Sequence, residues 1–142
     1  SHLYERITIV NRPVWSASNE LVSFIDQGPA SIVSKDTNGA GMTVNTINID
    51  DLVEENKLDA VDFIKMDIEG AEMNALKGAI ETIRKFRPTL AISVYHQVSD
   101  FHEVALFIKS QFDNYLFTIK HSTTLAQETV LFASPKEKLF SK

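Results

Sequence analysis

The stretch VDFIKMDIEGAE, residues 61–72, decides the fold. Its first part, VDFIKMD (61–67), is largely apolar and predicts a buried strand. Three acids then follow within six residues, Asp67, Glu69 and Glu72. Like charges at this spacing repel one another unless a positive partner is present. Three acids so close to the end of a buried strand need a chemical explanation.

The residues after this strand alternate between helical and extended patterns. Apolar residues three or four apart predict a helix from about 69 to 86, which Pro88 ends. The run TLAISVYH (89–96) predicts the next apolar strand. From residue 48 the predicted order is helix, strand, helix, strand, helix, strand, strand, at 48–56, 61–67, 69–86, 89–96, 100–112, 115–120 and 129–134. That alternation predicts an α/β fold with parallel strands, and the last two strands are predicted to pair antiparallel.

Short polar side chains precede two of these helices. We expect Asn48 or Asp50 to cap the helix at 48–56, and Ser99 or Asp100 to cap the helix at 100–112. The cap oxygen accepts a backbone N–H that has no partner inside the helix, which fixes where the helix begins.

The first third of the chain has shorter segments of strand character. They are ITIV (7–10), LVSFID (21–26), SIVSK (31–35) and TVNTI (43–47), with the turn signal Gly28-Pro29 between the second and third. This spacing predicts a hairpin or meander at the edge of a larger structure.

The parallel part of the sheet predicts where a site would lie. In open α/β sheets, ligands bind beyond the carboxyl ends of the strands. Asp67 and His96 each occupy that end of a predicted strand. Two adjacent parallel strands would bring Asp67, Glu69 and His96 into one crevice. The positive partner of the acids would be Lys65, a cationic cofactor or a metal.

Each of these residues also has a simpler interpretation. Asp67 and Glu69 could cap the following helix, His96 could be a structural histidine, and Trp15 could pack in the core. Asp62, Asp67 and Glu69 also partly match the D-x-x-D-x-D-x-E strand of chitinase-like glycoside hydrolases. Those enzymes are (β/α)₈ barrels of about 250 residues, which this chain is too short to form.

Composition narrows the functional classes. The 142 residues are 44% apolar and 23% charged, which suits one globular domain, and the net charge is −5. No nucleic-acid partner is expected, because such proteins usually carry a basic face. No membrane partner is expected, because no apolar run approaches the roughly 20 residues of a spanning helix. The absence of cysteine fits a cytoplasmic location.

The ends of the chain differ from its body. Residues 1–2 resemble a cloning scar, and residues 136–142 are predicted to be a polar, solvated tail. Residues 3–135 are left as the folded domain.

The run from VDFIKMDIEGAE to VYH (61–96) resembles the C-terminal core of the FkbM-type methyltransferases. The family pattern is a hydrophobic strand, K-x-D-x-E-G-A-E, a helix, and a K/R-P strand, and all of it is present. TINIDDL (46–52) and HSTTLAQETVLFA (121–133) resemble other segments of the family. The resemblance covers roughly residues 4–134.

The resemblance implies an S-adenosylmethionine-dependent enzyme that methylates a hydroxyl on a sugar or another secondary metabolite. It implies a Rossmann-like class I methyltransferase sheet that is partial, mostly parallel, and closed by a C-terminal antiparallel hairpin. The glycine-rich turn and the acid-ended strand that hold the cofactor in such enzymes have no counterpart in this sequence. Residues 3–135 are therefore expected to be the C-terminal portion of the domain, inactive alone and a poor binder of S-adenosylmethionine.

The resemblance also implies roles for individual residues. Asp67 would face the methionyl end of the cofactor or the acceptor, His96 would be the general base, and Glu69 would orient either group. Trp15 would line the adenine side of the cofactor. No metal site is predicted, since no metal-spaced histidine pair is present.

Two other functions remain open at this point. The chain could be a non-catalytic interaction or scaffold module that keeps half of a methyltransferase fold. It could instead be a metal-dependent enzyme built on Asp67, Glu69 and His96. Open strand edges would also allow a second copy of the chain to pair with it as a homo-oligomer.

Overall fold

The structure is a computed structural model, and it describes residues 6–25, 32–34, 42–123 and 128–140. Most of the predicted elements from residue 48 onward are present, with bounds that differ by a few residues. In chain order the elements are β1 (Leu21–Ile25), β2 (Ile32–Ser34), β3 (Met42–Asn45), α1 (Ile49–Glu55), β4 (Phe63–Met66), α2 (Glu72–Lys77), α3 (Ile80–Phe86), β5 (Thr89–Ser93), α4 (Asp100–Gln111), β6 (Tyr115–His121), β7 (Thr129–Pro135) and α5 (Lys136–Phe140).

The larger sheet has four strands in the order β4-β5-β7-β6. β4 and β5 are parallel, whereas β7 pairs antiparallel with both β5 and β6. Three of these strands therefore point the same way, and β7 is reversed. The α/β class is confirmed. The expectation of a mostly parallel sheet does not hold for neighbouring pairs, because β7 lies between β5 and β6 and leaves one parallel pair, β4 with β5.

The core joins this sheet to helices α2, α3 and α4. β5 is covered on both of its faces, since its four consecutive residues Leu90, Ala91, Ile92 and Ser93 are all buried. The large aliphatic side chains that are fully buried in this core are Leu76, Ile83, Leu90, Ile92, Val94, Val104, Ile108 and Leu131. Each contributes about 1.5–3 kcal/mol through burial, so this layer holds the carboxyl end of β5 in place.

β4, the strand that leads into Asp67, lies at the edge of the sheet in the described chain. The prediction that this strand is buried is wrong. Met66 is buried, but Phe63 is 54% exposed and Lys65 is exposed. The physical reason is that successive side chains point to opposite faces of a strand, and the face with Phe63 and Lys65 is left uncovered by the described residues.

The helix predicted from about 69 to 86 is two helices, α2 and α3, separated at Gly78-Ala79. A Cβ on Gly78 would lie 2.3 Å from the carbonyl oxygen of Trp15 and 2.8 Å from Cβ of Asn48. Another part of the chain thus packs directly against the helix backbone at this point. Spacing of apolar residues within 69–86 carries no information on that approach, so the pattern predicted one continuous helix.

The helix caps are partly as predicted. Oδ1 of Asn48 accepts the N–H of Asp51 at 2.6 Å and begins α1. Asp50 caps α3 instead of its own helix. Ser99 makes no side-chain cap bond at α4, and the carboxylate of Asp100 accepts the N–H of Gln97 at 3.0 Å.

The N-terminal region forms a separate antiparallel sheet in the order β2-β1-β3. It confirms strands within 21–26, 31–35 and 43–47, although residues 26, 31 and 35 lie outside the described part. The strand predicted at 7–10 is absent: these residues are irregular, and Ile9 is 87% exposed. No described strand pairs with them, and an extended segment without a partner is not a strand.

The end of the chain is more ordered than predicted. Residues 136–140 form the short helix α5, and Glu137 accepts a hydrogen bond from Arg87 at 2.9 Å. Residues 136–139 are all exposed to solvent, and the bond from Arg87 ties the helix to the domain. The predicted scar at residues 1–2 lies outside the described part. Every helix in the described chain is too short or too polar to cross a lipid bilayer.

Candidate functional site

The carboxyl end of β4 continues into a tight turn. Glu69 has a φ of 53° and Gly70 a φ of 91°, so two successive residues adopt left-handed backbone conformations before α2 begins. A Cβ on Gly70 would meet Gln97 and His96 at 3.5 and 4.0 Å, which are ordinary contacts. Glycine is therefore required at residue 70 by the backbone angle, and the turn aims Glu69 back toward the end of β5.

The register of β4 with β5 brings the predicted site residues together. Met66 pairs with Ile92, so Asp67 follows one strand end and His96 lies shortly beyond the other. Nε2 of His96 lies 3.4 Å from Oε2 of Glu69 and 3.8 Å from Oδ1 of Asp67. We call Asp67, Glu69, Glu72 and His96 the acid–histidine cluster.

Glu72 was not among the predicted site residues, although it is the last acid of the opening stretch. It is 1% exposed, and its Oε1 accepts the N–H of Ile68 at 2.8 Å. The same oxygen lies 3.1 Å from Nδ1 of His96. The signal that could have found it is its place in the first turn of α2, where residues 71, 72, 75 and 76 form a buried face.

Asp67 sits in a network of donors. Lys65 Nζ lies 3.2 Å from Oδ2, and the Tyr95 hydroxyl donates to Oδ1 at 3.2 Å. Partial burial raises the pKa of Asp67, but hydrogen bonds from Ser93, Lys65 and Tyr95 and the charge of Lys65 outweigh it, so the pKa is lowered from 3.8. Asp67 is therefore ionised at neutral pH.

Tyr95 is a second residue of the site that the sequence did not indicate. Burial raises the pKa of its phenol to about 12, and the negative charges of Asp67, Glu69 and Glu72 add to the shift. Its ring lies 4.1 Å from the ring of His96, centroid to centroid. Tyr95 therefore stays a neutral hydrogen-bond donor to Asp67 and packs against the histidine.

Three atoms of the cluster are buried without a hydrogen-bond partner. They are Oε2 of Glu72 and both ring nitrogens of His96. The side chain of His96 is 8% exposed, so water reaches it poorly. The distances to Glu72 and Glu69 are ion-pair distances, yet the ring nitrogens are not aligned for hydrogen bonds. Polar atoms left this way in a core are costly unless a proton, an ion or a ligand binds them.

The cluster also has the composition of a metal site. Asp67, Glu72 and His96 each offer one ligand atom, and these atoms lie within 4.8 Å of one another. This set differs from the one weighed from the sequence, because Glu72 takes the place of Glu69.

Trp15, predicted to line the cofactor, is 6% exposed. Its backbone N–H donates to Ile47 at 2.9 Å and its carbonyl packs on Gly78. Among the described residues, the recorded contacts of Trp15 do not include the acid–histidine cluster. Its role at the adenine stays a prediction.

A surface cavity of about 550 Å³ lies elsewhere, between α1 and α3. It is lined by Asp50, Asp51, Val53, Glu54, Lys57, Leu58, Asp59, Glu81, Thr82, Lys85 and Phe86. No cluster residue is among them, so the candidate site is defined by its side chains and not by this cavity.

The described sheet and its helices make this a protein of the α/β class. Residues 5–117 match the family model of the methyltransferase FkbM domain. The chain belongs to the FkbM methyltransferase family.

One solved structure resembles the chain over most of its length. It is the crystal structure of methyltransferase FkbM from Methylobacillus flagellatus KT, with 28% sequence identity and a TM-score of 0.71. The match covers 94% of this chain and 30% of the crystallised chain, so this chain spans about a third of that protein's length. No protein of curated function matches the chain significantly.

Proposed function

We propose that this chain carries the acceptor-facing part of a methyl-transfer site that uses S-adenosylmethionine. The observation that carries the proposal is the convergence of Asp67, Glu69 and His96 at the carboxyl ends of two adjacent parallel strands. In an open α/β sheet this is where ligands bind, and membership of the FkbM family supplies the reaction class. The acceptor would be a hydroxyl on a sugar or other secondary metabolite.

The chemistry requires a proton acceptor beside the hydroxyl. Imidazole side chains accept and release protons near neutral pH, and His96 is held at the cluster by contacts on both ring nitrogens. Glu69, 3.4 Å from Nε2, orients the ring. These residues would hold the acceptor oxygen in line with the methyl–sulfur bond that breaks as the new bond forms, and much of the rate would come from that alignment.

S-adenosylmethionine, when bound, supplies an electrophilic methyl group on a cationic sulfur. The residues present fit that charge, since Asp67 is ionised and the cluster holds buried polar atoms without partners. Asp67 would hold the methionyl side, and Trp15 the adenine side, of the cofactor. We propose that the isolated chain is inactive because it supplies part of the site, and that the protein acts in the cytoplasm.

A second candidate is an interaction module that keeps the fold without catalysis. The exposed edge strand β4, with Phe63 54% exposed, favours it because an open edge can pair with a second copy of the chain. Sedimentation of the wild type and of Phe63→Lys tests this candidate. A dimer in the wild type that the variant loses supports it, and a monomer in both contradicts it.

Radiolabelled methyl transfer by the natural protein that contains this chain tests the main proposal. We expect His96→Ala to lower kcat by about 100-fold or more, the usual contribution of a general base. Asp67→Asn should weaken binding of S-adenosylmethionine. Glu103→Gln, on the exposed face of α4, is the matched control and should behave as wild type. Unchanged binding and turnover in both site variants would refute the site assignment.

A further inference from the structure

We propose that Asp67, Glu72 and His96 form a binding site for one divalent metal ion of the Mn²⁺ or Zn²⁺ kind. Each residue presents one ligand atom, and the three atoms lie within 4.8 Å of one another. Ligands at about 2.1 Å from a tetrahedral ion are about 3.4 Å apart. Closing a gap of at most about 1.4 Å takes rotations of the ligand side chains.

Burial is the independent observation that points to an ion. Oε2 of Glu72 and both nitrogens of His96 are buried and have no hydrogen-bond partner. Glu72 is 1% exposed, and its other oxygen is already bonded to the N–H of Ile68. Oε2 is therefore the oxygen free to coordinate. A carboxylate oxygen and an imidazole nitrogen left together in a dry site are the ligands that a metal ion needs.

Charge points the same way. Three carboxylates, Asp67, Glu69 and Glu72, surround His96. Lys65 contacts Oδ2 of Asp67, whereas His96 faces Oδ1. Three negative charges against one ammonium leave the cluster negative around its buried centre. A divalent ion balances that charge at the point where the orphaned atoms lie, and Glu69 stays beside it as an outer carboxylate.

The donor set selects the class of ion. One imidazole and two carboxylates suit Mn²⁺ and Zn²⁺, whereas Ca²⁺ and Mg²⁺ prefer oxygen ligands alone. The turn at Glu69 and Gly70, and the packing of Tyr95 on the histidine ring, hold two of the ligand-bearing segments in place.

The inference deepens the proposed function and rests on it for the role of the ion. A bound ion would bind the acceptor hydroxyl as a Lewis acid and make its proton easier to remove. With the ion bound, His96 would act as a ligand and not as the general base. Glu69, the carboxylate of the cluster that is not a ligand, would take that proton instead. Binding of the ion itself does not depend on the methyl-transfer proposal.

Titration calorimetry with MnCl₂ and ZnCl₂, and electron paramagnetic resonance of bound Mn²⁺, test the site on the intact metal-stripped protein. We expect one ion per chain, with weaker binding of Ca²⁺ and Mg²⁺. Glu72→Gln and Asp67→Asn should each weaken binding by at least about tenfold. Glu103→Gln should bind as wild type. Circular dichroism checks folding, and Asp67→Asn, at an exposed position, keeps the test valid if Glu72→Gln unfolds.

Absence of binding to the folded wild type would overturn the site, as would equal binding by all variants. Ca²⁺ binding as tight as Mn²⁺ binding would contradict His96 as a ligand. The two proposals fail separately. Methyl transfer that survives a chelator and is lost in His96→Ala refutes the role of the ion in the reaction and leaves the methyltransferase proposal standing. Ion binding without methyl transfer keeps the ion and refutes the enzyme.

Discussion

Two groups of carboxylates in this molecule look alike in sequence and differ in structure. Asp50 lies in a short acidic run, and both of its oxygens are satisfied: Oδ1 accepts the N–H of Thr82 at 2.7 Å and Oδ2 that of Glu81 at 3.2 Å. Glu72 also follows closely spaced acids, but one of its oxygens is buried without a partner. The first acid completes a helix end. The second keeps an oxygen that no described residue hydrogen-bonds.

The number of hydrogen-bond partners on each carboxylate distinguishes an acid that stabilises the fold from one that is available to bind a ligand. Capping of the following helix was the simpler alternative for Asp67 and Glu69, but α2 has no side-chain cap bond. The acid that does cap a helix is Asp50, which accepts backbone N–H groups of α3. Satisfied acids should matter for stability, and unsatisfied acids for binding, and that division can be tested variant by variant.

The largest effect on stability is expected at Gly78, in the region where Asp50 completes the start of α3. Gly78→Ala places a Cβ 2.3 Å from the carbonyl of Trp15, and the N–H of Asp50 donates to the carbonyl of Gly78 at 3.0 Å. Because backbone cannot give way cheaply, we expect a loss of about 3 kcal/mol in the free energy of unfolding, measured with urea. Gly70→Ala, strained by its φ of 91° but without a clash, should cost about 1 kcal/mol. Equal costs would contradict the close approach at residue 78.

The helix break at Gly78 shows which part of the fold could be predicted from the sequence and which could not. The apolar spacing of Met73, Leu76, Ile80 and Ile83 correctly indicated helical structure, because the pattern depends on which face is buried. The break between α2 and α3 depends on Trp15, more than 60 residues away, so it left no trace in the local pattern. The order β4-β5-β7-β6 was hidden for the same reason, because strand spacing does not say where β7 inserts.

The candidate site was predictable in part. Asp67 and His96 were found because a parallel sheet brings its strand ends together. Glu72 and Tyr95 were missed as site residues because their roles depend on which way a helix face and a strand end turn. The strand predicted at 7–10 failed because apolar, β-branched residues form a strand when a partner is present, and the described chain offers none.

The next effect concerns Asp50 itself. Removing both acceptors in Asp50→Ala leaves two N–H groups of α3 without partners, which should lower the free energy of unfolding by about 1–2 kcal/mol. Binding of MnCl₂ should not change. Asp50→Asn keeps one acceptor oxygen and should lose less than the alanine variant. If Asp50→Ala weakened ion binding, the division between structural and functional acids would be wrong.

Glu72→Gln should differ from Asp50→Ala in both respects, with no loss of stability in metal-free buffer and weaker ion binding. In metal-free buffer we expect it to gain about 1 kcal/mol of stability, because the amide oxygen keeps the bond from Ile68 and a buried carboxylate is removed from beside Asp67. In saturating MnCl₂ the order should reverse, since the wild type gains from the ion and the variant does not. Thermal melts with and without MnCl₂ measure both. A variant less stable than wild type in metal-free buffer would show that the charge of Glu72 is already compensated.

The smallest effect is the pH dependence contributed by Asp67, which stands between the two kinds of acid because it has donors and is exposed. Its pKa is lowered from 3.8, so its contribution to stability is present above that pH and is lost as the pH falls through the folded-state pKa. The side chain is 39% exposed, and screening keeps the contribution below about 1 kcal/mol. The stability difference between wild type and Asp67→Asn should therefore be constant near neutral pH and shrink below pH 3.8. A difference that persisted in acid would mean that Lys65 and Tyr95 stabilise the residue by packing, since protonation would leave those contacts in place.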